Sequence, residues 1–299
     1  MPPSPIRIGT RKSALAMAQA QQVADAMNIN GNYELVPIVS SGDKIDGPLR
    51  DHGGKSLFTK ELDLALLQGD IDLAIHSMKD VETPLADSLE IAAVPLRADP
   101  RDVLITNPNV QLNDLQKTIT IGTSSLRRER QLTLHYPNFS IFPCRGNIQT
   151  RLQKYANGEF DGIILALAGL VRMGLYSNGC IDGVTANVKL LDSNVYIPAP
   201  GQGALAIMKR CNDQRFDQAL QAINHPDSFL AIQIERQIID ALNLTCNDPV
   251  GAYAQITGNE FHVKCVLFND QGPIEKTAHG RLEERDALVQ GVVSSLGSL

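Results

Sequence analysis

The sequence predicts an α/β protein of two lobes with mixed sheets, followed by a small C-terminal α+β domain on a three-stranded antiparallel sheet. Three observations carry this expectation. Short apolar strands alternate with amphipathic helices through the first two-thirds of the chain, the βαβα rhythm of sheets covered by helices on both faces. Ile8-Gly9-Thr10, followed by Arg11 and Ser13, returns as Ile121-Gly122-Thr123, followed by Ser125, Arg127 and Arg128. One strand–turn–helix unit thus occurs twice, about a domain apart. From Phe216 onward the rhythm changes to helices flanking three strands. A length of 299 residues is also too great for one ordinary core.

The elements follow from periodicity and punctuation. Strands are expected at 6–9 and 34–39, with a helix at 13–27 between them that has Ser13 near its N-cap. A helix at 58–67 ends on Gln68-Gly69-Asp70 and leads into a buried strand at 71–75. Short strands at 91–95 and 103–106 follow. A second run has strands at 118–122, 139–142 and 163–167, with helices at 125–134, 150–157 and 168–173. Residues 196–203 (YIPAPGQG) break the rhythm as a crossover does, and 204–208 is one more strand. Helices at 216–223 and 228–242, strands at 252–256, 261–268 and 274–278, and a helix at 285–296 complete the chain. The expected units are 1–95 with 196–213, 100–190, and 217–299.

Composition narrows the function. No apolar run is long enough to span a bilayer, and residues 1–7 hold three prolines but no apolar h-region. The cysteines, Cys144, Cys180, Cys211, Cys246 and Cys265, are odd in number, scattered and never in a CxxC pair. A disulfide framework or structural zinc is not expected, and a reducing, cytoplasmic setting is. No metal signature is present among the histidines. The net charge of −6 argues against non-specific nucleic-acid binding. No apolar stripe is left over for an interface, so a monomer acting on a small molecule is expected.

Basic groups must then be local. In open α/β sheets ligands lie beyond the carboxyl ends of strands, where helix N-termini offer N–H groups to anions. Arg11, Ser13, Lys79, Ser125, Arg127, Arg128, Arg145, Arg151 and Arg172 all follow strands. Arginine suits bidentate recognition of carboxylates, so the set points to a polycarboxylate site. Any one of these arginines, taken alone, reads more readily as a solvated or salt-bridged residue. Arg127-Arg128 is hardest to dismiss, because adjacent cations near a helix N-terminus oppose its dipole unless an anion compensates. Asp80 is a carboxylate at the end of a buried strand among these cations. It can serve proton transfer or charge stabilisation, or it can be a salt-bridge partner of Lys79 or an arginine. Cys246, in a loop, reads from sequence alone as an idle thiol. Gly201-Gln202-Gly203 is not a dinucleotide fingerprint, since it lacks the third glycine and precedes a strand.

Nine segments together resemble the porphobilinogen deaminase family. They are RIGTRKSALAMAQA (7–20), GGKSLFTKEL (53–62), IDLAIHSMKDV (71–81), DPRD (99–102), IGTSSLRR (121–128), RGNIQTRL (145–152), LALAGLVRMG (165–174), PAPGQGALAI (198–207) and CNDPVGAYA (246–254). The resemblance implies two lobes like those of periplasmic binding proteins and a small domain carrying a cofactor cysteine. It implies an enzyme that joins four porphobilinogen molecules head to tail, losing ammonia each time, to give hydroxymethylbilane. A dipyrromethane cofactor would be held by a thioether to Cys246. Asp80 would be the catalytic acid. Lys79, Ser125, Arg127 and Arg128 would hold the cofactor; Arg11, Ser13, Gln19, Lys55, Arg145, Arg151 and Arg172 would hold substrate carboxylates. The chain departs from the family pattern at Leu244-Thr245, where glycines are usual, and at Asp51 and Glu82. A two-lobed dicarboxylate-binding protein, with Asp80 and Cys246 incidental, is the alternative.

Overall fold

The computed structural model describes residues 5–29, 31–43, 57–112, 114–245 and 247–297. In chain order the first run is β1 (Ile6–Arg11), α1 (Ala14–Ala26), β2 (Tyr33–Ile38), α2 (Lys60–Gln68), β3 (Leu73–Ser77) and β4 (Leu89–Ala93). The second is β5 (Asp102–Thr106), β6 (Ile119–Gly122), α3 (Leu126–His135), β7 (Phe139–Phe142), α4 (Ile148–Ala156), β8 (Gly162–Ala166), α5 (Leu167–Arg172), β9 (Tyr176–Ser177), β10 (Cys180–Ile181) and β11 (Asn187–Leu190). Then come β12 (Leu205–Arg210), α6 (Asp217–Ile223), α7 (Pro226–Ala241), β13 (Val250–Thr257), β14 (Glu260–Asn269), β15 (Gly272–Arg281) and α8 (Arg285–Gly297).

The first two large sheets are built alike. One has the order β2-β1-β3-β12-β4, with β1 parallel to β2 and β3, and β12 antiparallel to β3 and β4. The other has β7-β6-β8-β5-β11, with β6 parallel to β7 and β8, and β5 antiparallel to β8 and β11. The repeated Ile-Gly-Thr falls on β1 and β6, which hold the same place in the two sheets. Its glycine has one cause in both. A Cβ at Gly9 would stand 2.3 Å from Ile71 Cδ1, and one at Gly122 would stand 2.8 Å from Phe160 Cδ2. Ile71 and Phe160 each lie two residues before the neighbouring parallel strand, so the same close approach excludes a side chain twice.

Both faces of the first sheet are buried, which is why its strands read as continuous apolar runs. Ala74, Ala206 and Met208 pack with Leu62 and Leu66 of α2, while Leu73, Ile75, Leu205 and Ile207 pack with Ala20 and Val23 of α1. Leu220 of α6 joins the second of these clusters, so that short helix covers the first sheet. Around the other large sheet, Ile163 and Leu165 face Leu152, and Ile121 and Ile164 face Leu132. The last sheet, β13-β14-β15, is antiparallel throughout and buries Phe261 and Val263 against Ile234, Ile238 and Val292 of α7 and α8.

Two segments cross between the large sheets, one from β4 to β5 and one from β11 to β12. They meet α7 at Glu235, which is fully buried. Its carboxylate accepts from Arg97 Nη1 (2.5 Å) and Nη2 (3.2 Å) on the first crossing, Gly201 N (2.7 Å) on the second, and Ala254 N (2.8 Å) on β13.

The structure departs from the sequence expectation at short and edge elements. The edge strand β11 is unforeseen, because its residues are exposed or half-buried and carry little apolar signal. β2 runs through Pro37, tolerated because β2 pairs on one side only. The helix expected at 150–157 starts at Ile148, capped by Asn147, whose Oδ1 accepts from Thr150 N at 2.8 Å. Among the described residues, no helix is long and apolar enough to cross a membrane.

Candidate active site

The strand ends of the two alike sheets place the charged residues. β1 ends at Arg11, and Ser13 then caps α1, its Oγ accepting from Ala16 N at 3.3 Å. β6 ends at Gly122, and Ser125 caps α3, its Oγ accepting from Arg128 N at 3.5 Å. Both serines therefore spend their oxygen on a helix start and keep a hydroxyl hydrogen to give to an anion. β3 ends at Ser77 and passes into a single 3-10 turn, Met78–Asp80. That turn brings Lys79 and Asp80 to the same end as Arg11.

Arg11, Gln19, His76, Lys79 and Asp80 line a cavity of about 100 Å³. Arg11 Nη1 is 3.8 Å from Asp80 Oδ2, both side chains being about a quarter exposed. The Arg11 guanidinium also lies over the Phe58 ring, 4.2 Å from its centroid. Gln19 Nε2 donates to Ser77 Oγ at 3.0 Å, which fixes its amide at the cavity wall. His76 is buried with Nε2 unpartnered among the described residues, and burial, with Arg11 nearby, pushes it down to about 4. It is neutral at physiological pH.

The cations of the second sheet face the same region. Burial and the positive charge of Arg128 push Lys79 down to about 8, so the β3 end and the start of α3 share one field. The Lys79 ammonium has no hydrogen bond or ion pair among the described residues. Arg151 is lowered to about 10 by burial and by Arg128, with Arg145 adding to it, and its Nε donates to Gly146 O at 2.8 Å. Arg172, lowered to about 10 by burial, donates from Nη2 to Gly203 O at 2.7 Å and keeps a buried, unpartnered Nε. A Cβ at Gly169 of α5 would stand 3.6 Å from Leu15 Cδ2 of α1, which shows how closely the two helices approach. Depressed cations without carboxylate partners mark a site short of negative charge.

Arg127 and Arg128 are different. The anion that compensates these adjacent cations is internal to the protein. Asp102, the first residue of β5, accepts from Arg127 Nη2 (2.8 Å) and from Arg128 Nη2 (2.8 Å) and Nε (3.2 Å). Burial pushes the Asp102 carboxyl up, but the two guanidiniums outweigh it and hold it well below the usual range. Arg127 Nη1 donates to Ile197 O, Arg128 Nη1 to Ile164 O, and among the described residues Arg127 Nε is left unpartnered. Asp102 was missed in the sequence because it stands before an apolar strand and has no local partner to signal a role.

Not every cation belongs here. A larger open depression, about 650 Å³, lies at Leu67, Arg210 and Arg215. Its guanidiniums are engaged by Asp72 and Asp213 in a salt-bridge network with Arg7, which explains the charge there. Cys144 is buried beside Gly122, and burial raises its thiol above the ordinary value, so it is not poised to react.

Lys55 and Cys246 lie outside the described residues. The chain on either side of Cys246 is defined. Two residues past the end of α7, Asn243 has φ 53°, the left-handed conformation that closes a helix. Thr245 N and Oγ1 donate to Asp248 Oδ2 at 2.6 and 2.8 Å, and Asn247 N donates to Thr245 Oγ1 at 3.3 Å. At this departure from the family's glycines, the threonine hydroxyl itself pins the loop.

A family model described as "Porphobilinogen deaminase, dipyromethane cofactor binding domain" matches residues 6–218. A porphobilinogen deaminase of Syntrophomonas wolfei is 40% identical over 301 residues, covering 96% of each chain. One of Syntrophobacter fumaroxidans is 44% identical over 255 residues, covering 84% of this chain and 80% of the relative. Among solved structures, a substrate-binding domain of a putative amino acid ABC transporter from Streptococcus pneumoniae aligns over 78% of this chain and 99% of its own, at 13% identity and TM-score 0.43. The architecture rests on the sheet order given above, not on that alignment. Nine matching segments and relatives covering nearly the whole length agree: the chain belongs to the porphobilinogen deaminase family.

Proposed function

We propose that this chain is a hydroxymethylbilane synthase, a transferase that joins four porphobilinogen molecules head to tail with loss of ammonia and releases the linear tetrapyrrole hydroxymethylbilane. The observation that carries the proposal is a single carboxylate, Asp80, set beside Arg11 in a cleft where Lys79, Arg151 and Arg172 have no carboxylate partner among the described residues. A chain of pyrroles bearing acetate and propionate groups is a dense polyanion, and it supplies the missing charge. The donor set fits such a cofactor, since the Lys79 ammonium and the buried Nε atoms of Arg127 and Arg172 are without partners among the described residues. When bound through a thioether to Cys246, dipyrromethane supplies the pyrrole carbon on which the product grows.

The side chains divide the work. Lys79, Ser125, Arg127 and Arg128 hold the carboxylates of the anchored cofactor. Arg11, Ser13, Gln19, Lys55, Arg145, Arg151 and Arg172 hold those of incoming substrate and the lengthening product. Asp80 gives a proton toward the departing amine and then, ionised, faces the positive charge that develops as ammonia leaves. Arg11 keeps that carboxylate in place. On this proposal the chain divides into units 1–95 with 196–213, 100–190 and 217–299, the last joined through α6. It works as a cytoplasmic monomer on a small molecule, without nucleic acid or membrane.

Purified protein given porphobilinogen is expected to release one ammonia per porphobilinogen consumed and to yield a linear tetrapyrrole. Binding without ammonia release contradicts the proposal. The pH dependence follows from Lys79. Its charge is lost as pH rises through about 8, so its hold on the cofactor carboxylates weakens and apo-protein gains the cofactor mass more slowly above that pH. Stability moves the other way. The folded value lies below the ordinary 10.5, so the unfolded chain binds more protons between about 8 and 10.5, and this group's contribution to stability rises with pH across that window. A rate of cofactor loading that stays flat from pH 7 to 10 removes Lys79 from cofactor binding.

A further inference from the structure

We propose that Asp102 is a positioning residue of the reaction: it aims the Arg127 and Arg128 guanidiniums and ties their orientation to both segments that cross between the large sheets. The proposal rests on the functional reading above and goes further, since it assigns a role to a buried carboxylate that this reading leaves without one.

The geometry is specific. Asp102 is 1% exposed and begins β5, where the first crossing segment ends. Besides the two arginines, it accepts from Gln202 Nε2 at 2.9 Å, and Gln202 lies on the second crossing segment. The same amide nitrogen donates to Pro100 O at 2.6 Å. Arg127 Nη1 and Gln131 Nε2 both donate to Ile197 O on that second segment, and Ile197 N donates back to Gln131 Oε1. The first turns of α3 are thereby fastened to both crossings through one carboxylate.

The charge count is equally specific. Two adjacent guanidiniums at a helix N-terminus repel each other and oppose the dipole. One carboxylate between them cancels half that charge and leaves a net single positive charge. Without Asp102, each guanidinium is held by one backbone carbonyl alone, Ile197 O for Arg127 and Ile164 O for Arg128, and a misplacement of about 1 Å at a reacting centre costs on the order of 10²-fold in rate. Lys79 also lies within the field of Asp102, together with Asp80, Arg127 and Arg128.

Asp102→Asn keeps the shape and removes the charge. Apo-protein of this variant, supplied with porphobilinogen and followed by intact mass, is expected to gain the cofactor mass at least about tenfold more slowly than wild type, as misdirected arginines require. Loaded variant is expected to show its alkaline limb of activity shifted to lower pH, because Lys79 loses a neighbouring anion. Loading within twofold of wild type overturns the proposal. If Asp102→Asn does not accumulate as folded protein, Asp102→Glu decides. It keeps the charge and displaces it by one methylene, so slow loading in a folded protein supports the proposal and wild-type loading overturns it. A wild-type protein that never gains the cofactor mass overturns the functional reading instead.

Discussion

Asp80→Ala is expected to lower kcat by about 10²–10⁴-fold, the range for a lost general acid, while the protein stays folded and keeps its cofactor mass. The fold is indifferent to this residue for a stated reason. Asp80 lies at the end of a 3-10 turn with about a quarter of its side chain exposed, and its ion pair to Arg11 spans 3.8 Å. A pair of that exposure contributes roughly 1 kcal/mol or less. The chemistry is not indifferent, because no other carboxylate lines the cavity formed by Arg11, Gln19, His76 and Lys79 among the described residues. His76 is no substitute: held down to about 4, it has no proton to give at neutral pH. Asp80→Asn separates charge from shape and is expected to lose as much. Either variant retaining more than about a tenth of wild-type kcat removes general-acid work from Asp80.

The largest stability effect is expected at Glu235. Truncating one partner of a buried ion pair costs about 3–5 kcal/mol, because the other charge is left uncompensated. In Glu235→Ala that charge is Arg97, only 8% exposed. The loss also orphans Gly201 N and Ala254 N, so both crossings and β13 lose their common acceptor. A fall in Tm on the order of 10 °C follows for a chain of this size. Thermal unfolding followed by circular dichroism checks it, and a Tm within about 2 °C of wild type contradicts the common-acceptor role. The two variants separate the two kinds of carboxylate in this protein: one partly exposed and chemical, one buried and structural.

Much of this was readable in the sequence, and particular residues show why. The Ile-Gly-Thr repeat was a three-residue coincidence until both glycines proved to face the same approach, Ile71 in one sheet and Phe160 in the other. Ser13 was legible as an N-cap because capping is local. Asn147 caps in the same way but was not legible, because the helix it starts at Ile148 was expected only from residue 150. β11 escaped because an edge strand buries little and so leaves little apolar pattern. Asp102 escaped for a deeper reason. Its partners Arg127, Arg128 and Gln202 are remote in sequence, and proximity of that kind arises only when both crossings close. Arg127 and Arg128 need a compensating anion, and Asp102 supplies one from within the protein. That moves the open positive charge of the cleft toward Lys79, Arg145, Arg151 and Arg172.

The central claim is a polypyrrole anchored on Cys246 and served by Asp80. Intact mass of the purified protein tests it most directly. Wild-type protein is expected to carry the excess mass of one dipyrromethane, and Cys246→Ser is expected to carry none and to be inactive. Protein of unmodified mass that still converts porphobilinogen to hydroxymethylbilane contradicts the account.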